Sequence, residues 1–489
     1  MSQSDQSRQL AMESFQKGDY QTALEHCGRS LQGSADDAMT WQIRGLCALQ
    51  LGDFKVSIEA LEKTLSLSGD DPEVLNNLGI AKRRDGDIGG AIEAYTQSIR
   101  LRSDLAPVHN NLADARVAQG QWTEAIASFR TALMIQPQDA STKFNLANLL
   151  RDMGEHEQSL SHYETLVREF PDDAEVKWNA ALAYLASGRW RRGFGYYESR
   201  FDLKQMDKPP VPEGVPRWRG EELHGKKILI ISEQGFGDLF QMLACTVRLK
   251  QLGAEITVQC HPRLHRLIKA APHVDQVTDE AQHGVDVDFY EWLMSCPDQL
   301  NLESDDVPAN ESWLVLPEGS RAGPWRDLLP KGDKLKVGLN FQGSPDFPHD
   351  NFRSLALSHF KPVWERQDIN LVSIQKGFGE EQLQELPDEA VTVLGHLLDT
   401  GDDAFVETAY CLSELDLLIT SDTAVAHLAG ALGCEVWVVL STVVDWRWGT
   451  KGGACSWYPS MRLFRQRERG EWKPVIMDVM QALNKLVGT

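Results

Sequence analysis

Six glycines recur at an interval of 34 residues: Gly18, Gly52, Gly86, Gly120, Gly154 and Gly188. Seven positions before each stands a small residue, Ala11, Gly45, Gly79, Ala113, Ala147 or Ala181. Leu31, Leu65, Ile99, Leu133 and Val167 hold an apolar position toward the end of successive units, and Pro72, Pro137 and Pro171 punctuate boundaries. One period shared by several registers defines a repeated supersecondary unit that cannot bury its apolar face alone. The glycine ends a first helix, and the small residue lets a second helix approach closely. Residues 1–205 are therefore expected to stack as six antiparallel helix pairs, in a superhelix whose concave face binds without doing chemistry.

This is the pattern of tetratricopeptide repeats. Asn77, Asn111, Asn145 and Asn179 share one position in the first helix of four successive repeats, where the first two repeats have Gln9 and Ile43. A side-chain amide offers donor and acceptor together, so a column of them can pair with the backbone of an extended peptide without reading its sequence. The column resembles the asparagine ladder of the O-GlcNAc transferases, which also join tetratricopeptide repeats to a sugar-transferring domain. Asparagine at this position also occurs in repeats that bind other ligands.

Composition narrows the partners. Against 71 acidic side chains stand 49 Lys and Arg, a net charge of −22, which argues against a nucleic-acid-binding surface. The eight cysteines are scattered without zinc-type spacing, as expected in a reducing cytoplasm. The polar start, Ser2 to Ser7, has no apolar signal core, and no run of about 18 apolar residues suggests a membrane span. A cytoplasmic location is expected.

Four prolines within 208–216 break the helical pattern, marking a linker at 206–222. Lys226 to Ser232 is then an apolar run of buried-strand length, Glu233 to Asp238 opens a helix through about Leu252, and Ala254 to Cys260 forms the next strand. Gly235 and Gly237 match only part of a dinucleotide fingerprint, because Phe240 stands where its third glycine belongs. Asp238 is either the N-cap of that helix, a general base at the strand edge, or both. A second βα series begins at Lys336, continues at Ile369 and reaches Leu417 to Gly433, where an apolar strand stops at Thr420-Ser421-Asp422-Thr423 before an alanine-rich helix. Such a turn aims backbone N–H groups at one point, an anion site by construction. The fold class expected is α plus α/β: the repeats, then two Rossmann-type halves at 223–330 and 331–489, the second ending in an amphipathic helix from Trp472 to Leu486 that is expected to pack back across the halves. Thr423 and His427 share a helix face. Lys376 and Arg353 are candidate phosphate cations or solvated surface charges. The loops Asp445-Trp446-Arg447-Trp448 and Trp457-Tyr458-Pro459 either stack on a ligand or pack against the sheet. Asp286 to Asp288, the only hint of a metal-dependent transferase, falls inside an expected strand and reads as incidental.

From about Trp218 to Leu486 the chain resembles the heptosyltransferases of bacterial lipopolysaccharide synthesis. The likeness is closer still to tetratricopeptide-repeat proteins with a C-terminal domain related to that family. The motifs that carry it are Gly237-Asp238 and Asp422-Thr423-Ala424-Val425-Ala426-His427. The resemblance implies a GT-B fold and inverting, metal-independent sugar transfer from a nucleotide-sugar, with no separate cofactor. It implies Asp238 as catalytic base, and Asp422, Thr423 and His427 as donor-binding residues within the segment Ser421 to His427. Ala424 stands where the family commonly has glycine, and its methyl group is expected to crowd the diphosphate. A protein acceptor held by the repeats follows from the domain plan, flagellin or another secreted protein being suggested by the family alone. A glycan or lipid-linked acceptor, and a non-enzymatic scaffold with a degenerate transferase domain, are the competing readings.

Overall fold

A computed structural model describes residues 2–204, 206, 208–280, 286–304, 306–307, 312–319, 323–345, 350–387 and 389–488, with the backbone alone of Asn351 and Phe352. The chain divides into two compact units, one of Met1–Arg151 with Ser161–Glu169 and one of Asp152–Leu160 with Phe170–Thr489.

Each 34-residue period folds as two helices. The pairs are α1 (Gln3–Gln16) and α2 (Tyr20–Gly33), α3 (Ala38–Leu51) and α4 (Phe54–Ser68), and α5 (Pro72–Asp85) and α6 (Ile88–Leu101). They continue with α7 (Ala106–Ala118) and α8 (Trp122–Ile135), α9 (Ala140–Asp152) and α10 (His156–Glu169), and α11 (Ala174–Ala186) and α12 (Trp190–Tyr197). All six recurrent glycines have φ between 76° and 94°, the left-handed conformation that ends a helix and disfavours a Cβ. In the first three pairs the next residue, Asp19, Asp53 or Asp87, accepts a backbone N–H and starts the second helix. The small-residue register is equally physical: a Cβ on Gly79 would lie 2.5 Å from the Tyr95 ring of α6, and one on Gly45 would lie 2.7 Å from Leu61.

The second unit contains two all-parallel sheets. The first has the order β3-β2-β1-β4, from β1 (Lys227–Ile231), β2 (Glu255–Gln259), β3 (Gln276–Thr278) and β4 (Phe289–Trp292). The second has the order β10-β9-β8-β5-β6-β7, from β5 (Leu335–Asn340), β6 (Ile369–Ser373), β7 (Thr392–Val393), β8 (Leu417–Thr420), β9 (Val436–Leu440) and β10 (Met461–Arg465). The central strands read as unbroken apolar runs because both faces are covered. In each sheet the chain reverses its direction of travel across the sheet at one point, between β1 and β4 and between β5 and β8. In open parallel sheets that crevice is where ligands bind.

Three expectations are corrected. The helical region expected to end at 205 does not stand apart from the α/β region, because α11 and α12 belong to the second unit. Trp190 stacks on Trp457 with centroids 4.7 Å apart, and Phe194 meets Trp446 edge-on at 5.7 Å. Asp286 and Asp288 precede β4 instead of lying within a strand, and they pair with Lys227 and Lys226. Among the described residues the helix Trp472–Val487 packs on the second half alone: Val475, Ile476, Val479 and Leu483 join Val337 and Trp437 of the second sheet and Phe360 beside it. Among the described residues no helix is long and apolar enough to cross a membrane.

Candidate functional site

The C-terminal strand edges of both sheets open onto one cavity of about 550 Å³. The turn after β1 supplies Gly235 to Asp238, and the loop after β5 supplies Gln342, Gly343 and Ser344. Lys376 and Phe378 follow β6, Asp422 to Val425 and His427 follow β8, and Asp445 and Arg447 follow β9. Seven of the eight residues expected in the cleft therefore line it: Asp238, Arg353, Lys376, Asp422, Thr423, Ala424 and His427. Ser421 does not. Its N–H continues the sheet by bonding the Asn340 carbonyl at 3.1 Å, and the residue is fully buried.

Asp238 sits in the first turn of α13 (Phe236–Met242). One carboxylate oxygen accepts the Gly235 N–H at 2.8 Å, so the capping role is real. The other is bonded to the Arg447 guanidinium, which also pairs with Asp445 at 2.8 Å. This shared cation was not legible in the sequence, where Arg447 appeared only as part of a tryptophan loop. Gly237 marks a close approach between helices, since a Cβ there would lie 3.1 Å from the His427 ring and 3.4 Å from the Ala424 Cα. The two helix N-termini meet at the cavity, and the Ala424 methyl lies against Gly237.

Around the second turn, Thr423 donates its hydroxyl to Asn340 Oδ1 at 2.9 Å, and Thr420 does so at 3.2 Å. Burial pushes the Asp422 carboxyl up to about 6, with Asp445 adding to the effect and Arg353 and Arg447 opposing it. His427 is buried, bonded through Nδ1 to the Tyr458 hydroxyl at 3.0 Å and stacked on Trp448 at 4.8 Å. Burial, and then the nearby Arg447, push its pKa down to about 3. His427 is thus neutral at physiological pH and contributes shape and hydrogen bonding without charge.

The candidate cations are held in place. Arg353 pairs with Asp350 at 2.9 Å, and its guanidinium occupies the space a Gly343 side chain would take, 2.7 Å from that missing Cβ. Lys376 donates to the Leu398 and Asp399 carbonyls, tying down the loop that forms one wall. Gln375, also missed in the sequence, is the hub of the β5 loop. Its side-chain oxygen accepts from Asn340, Phe341 and Gln342, and its amide donates to the Gln342 and Phe378 carbonyls. The only signal for it was a polar residue closing the apolar run of β6. The aromatic loops resolve as packing: Trp446, Trp448, Trp457 and Tyr458 are all buried.

In the repeats, the asparagine column is engaged with its neighbours. Asn111 donates to Asn76 at 3.0 Å, and Asn145 donates to Asp114 at 3.2 Å and to Asn110 at 3.5 Å. Asn179, in the second unit, bonds its own helix at the Glu175 carbonyl. Asn77 is partly exposed on α5.

Profiles described as tetratricopeptide repeat match residues 40–71, 76–140 and 116–183. The N-terminal region of the chain thus carries tetratricopeptide repeats. The repeat protein is 27% identical over 311 residues to Protein FlbA of Caulobacter vibrioides, a match covering 59% of this chain and 51% of the relative. It thus spans about half the length of the curated relative it matches. Among solved structures it is similar to the MamA protein, at 18% identity and TM-score 0.33, over 35% of this chain and 94% of that one. PilW, described as a type IV pilus biogenesis factor, matches at 19% identity and TM-score 0.38, over 42% of this chain and 97% of that one. YrrB, described as a TPR protein with an unusual peptide-binding site, matches at 15% identity and TM-score 0.32, over 35% of this chain and 88% of that one.

Proposed function

We propose that the repeat protein is a glycosyltransferase of GT-B type, which moves a sugar from a nucleotide-sugar to a protein acceptor held by its repeats. The observation that carries this reading is the meeting of two segments remote in sequence. Gly237-Asp238 lies directly against Ala424 and His427 at the mouths of two parallel sheets. These are the two motifs that resemble those of heptosyltransferases, and the proposed chemistry needs both. Attack by an acceptor hydroxyl on an anomeric carbon requires a base, typically worth about 10²–10⁴ in rate. A departing diphosphate requires donors or cations, each worth on the order of 10²–10³. Asp238 is the base of this reading. The 422–425 turn with Arg353 and Arg447 forms the diphosphate side, and Arg447 must exchange Asp238 for phosphate oxygens before the carboxylate takes the proton.

That same ion pair favours a second reading. A carboxylate locked by a buried arginine is inert, as in a scaffold that has kept the fold and lost the chemistry. A thermal-shift screen of nucleotide-sugars separates the two readings. A donor at 100 times its Kd stabilises the folded state by about 2.7 kcal/mol, and a rise in Tm with one nucleotide class is the expected result. No rise with any donor leaves the scaffold.

The acceptor side has its own test. Replacing Asn77, Asn111 and Asn145 together by alanine is expected to weaken binding of extended, unstructured peptides at least about tenfold, since each amide hydrogen bond contributes ~0.5–1.5 kcal/mol. Fluorescence anisotropy with labelled peptides measures this, and the donor-induced Tm shift should be unchanged. Unchanged peptide affinity would instead point to a glycan or lipid-linked acceptor.

A further inference from the structure

We propose that Phe378 is the platform on which the aromatic base of a nucleoside diphosphate stacks; this rests on the donor reading above and names the part of the donor that one residue recognises. Phe378 lines the cavity with 51% of its surface exposed. A large apolar ring left open inside a cavity has surface that a ligand can cover favourably. Its backbone is nevertheless fixed. The Phe378 carbonyl accepts the Gln375 amide at 2.6 Å, and the flanking Gly377 and Gly379 have φ of 76° and 88°. A Cβ on Gly379 would also lie 2.6 Å from Gln342 Oε1, so the tip is pressed onto the β5 loop. The loop is built rigid, and the ring at its apex faces the cavity.

Topology says what that ring meets. Phe378 follows β6, and the anion-type turn follows β8, with β5 between them. Two strand spacings of about 4.8 Å put these edges ~10 Å apart. A ligand with a diphosphate at the β8 turn reaches the β6 edge through its ribose and arrives there with its base. Aromatic side chains stack on bases of every kind through their π-faces. The other exposed ring of the cavity, Phe236, is already committed to Phe405 at 5.8 Å and His261 at 6.1 Å, on the Asp238 side.

The test compares wild type, Phe378→Ala and Phe378→Trp by calorimetric titration with uridine, adenosine and guanosine diphosphates and with inorganic pyrophosphate. The expected result is nucleoside diphosphate affinity reduced about tenfold or more in Phe378→Ala and retained in Phe378→Trp, with pyrophosphate affinity equal in all three. Equal losses for nucleotide and pyrophosphate in Phe378→Ala, or no loss for either, overturn the assignment alone. Wild-type protein that binds pyrophosphate but no nucleoside diphosphate, or neither, overturns the donor reading and the assignment with it.

Discussion

On the proposed transferase reading, replacing Asp238 by asparagine should lower sugar transfer by about 10²–10⁴ without weakening donor binding. The substitution is informative because it separates the observed capping role of this side chain from the role of base proposed for it. Asparagine still accepts the Gly235 N–H that starts α13, and Arg447 keeps Asp445 as its partner, so the local fold has what it needs. The capacity to take a proton is lost, together with the charge that pairs with Arg447. Single-turnover transfer with the donor found by thermal shift measures the effect, and the Tm rise with that donor reports binding independently. Transfer that continues undiminished in Asp238→Asn would move the base to another residue.

A second large effect is expected far from any chemistry. Arg200 is 0% exposed and is bonded to Glu233 at 2.7 Å, to Glu198 at 3.0 Å and to the Ser295 hydroxyl at 2.6 Å. Arg200→Met should destabilise the second unit by about 3–5 kcal/mol, because it leaves the carboxylate of Glu233 buried with its cation removed. Converting the partner as well, in Arg200→Met with Glu233→Leu, should recover much of that loss, since the penalty comes from the orphaned charge. Denaturant unfolding followed by tryptophan fluorescence reads the second unit selectively, because only Trp41 and Trp122 lie in the first. A double variant as unstable as the single one would mean that Arg200 acts through its packing on Tyr197 and Phe201 instead.

The repeats were legible because each is written in backbone geometry: a glycine at φ near 80° has few substitutes, and its spacing survives without knowledge of any contact. The strands were legible for a similar reason, as unbroken apolar runs need no partner to be recognised. Within the site, Gly237-Asp238 and the turn after β8 could be found because local strand–turn–helix chemistry defines them. Arg447 and Gln375 could not, because their meaning lies in partners 209 and 35 residues away. Ser421 shows the limit at a finer scale. Sequence marks a turn, but which of its consecutive polar residues faces the ligand depends on where the sheet's hydrogen bonding stops, one residue later than the strand pattern suggests. The tryptophan loops stayed open between two readings for a third reason. An aromatic residue in a loop serves a ligand or a neighbouring helix equally well, and here Trp457 found Trp190 of α12.

That last contact bears on how such a chain can change length over time. Repeat arrays ordinarily gain and lose units by duplication and excision, since each unit touches only its neighbours. The sixth unit here is exempt from that freedom: its aromatic rings and Arg200 are part of the α/β body, and excising it would open that body's core. Growth or shrinkage is confined to the first four units, since Asp152–Leu160 of the fifth also belongs to the second compact unit. Modules added or dropped at that end would leave the α/β core intact.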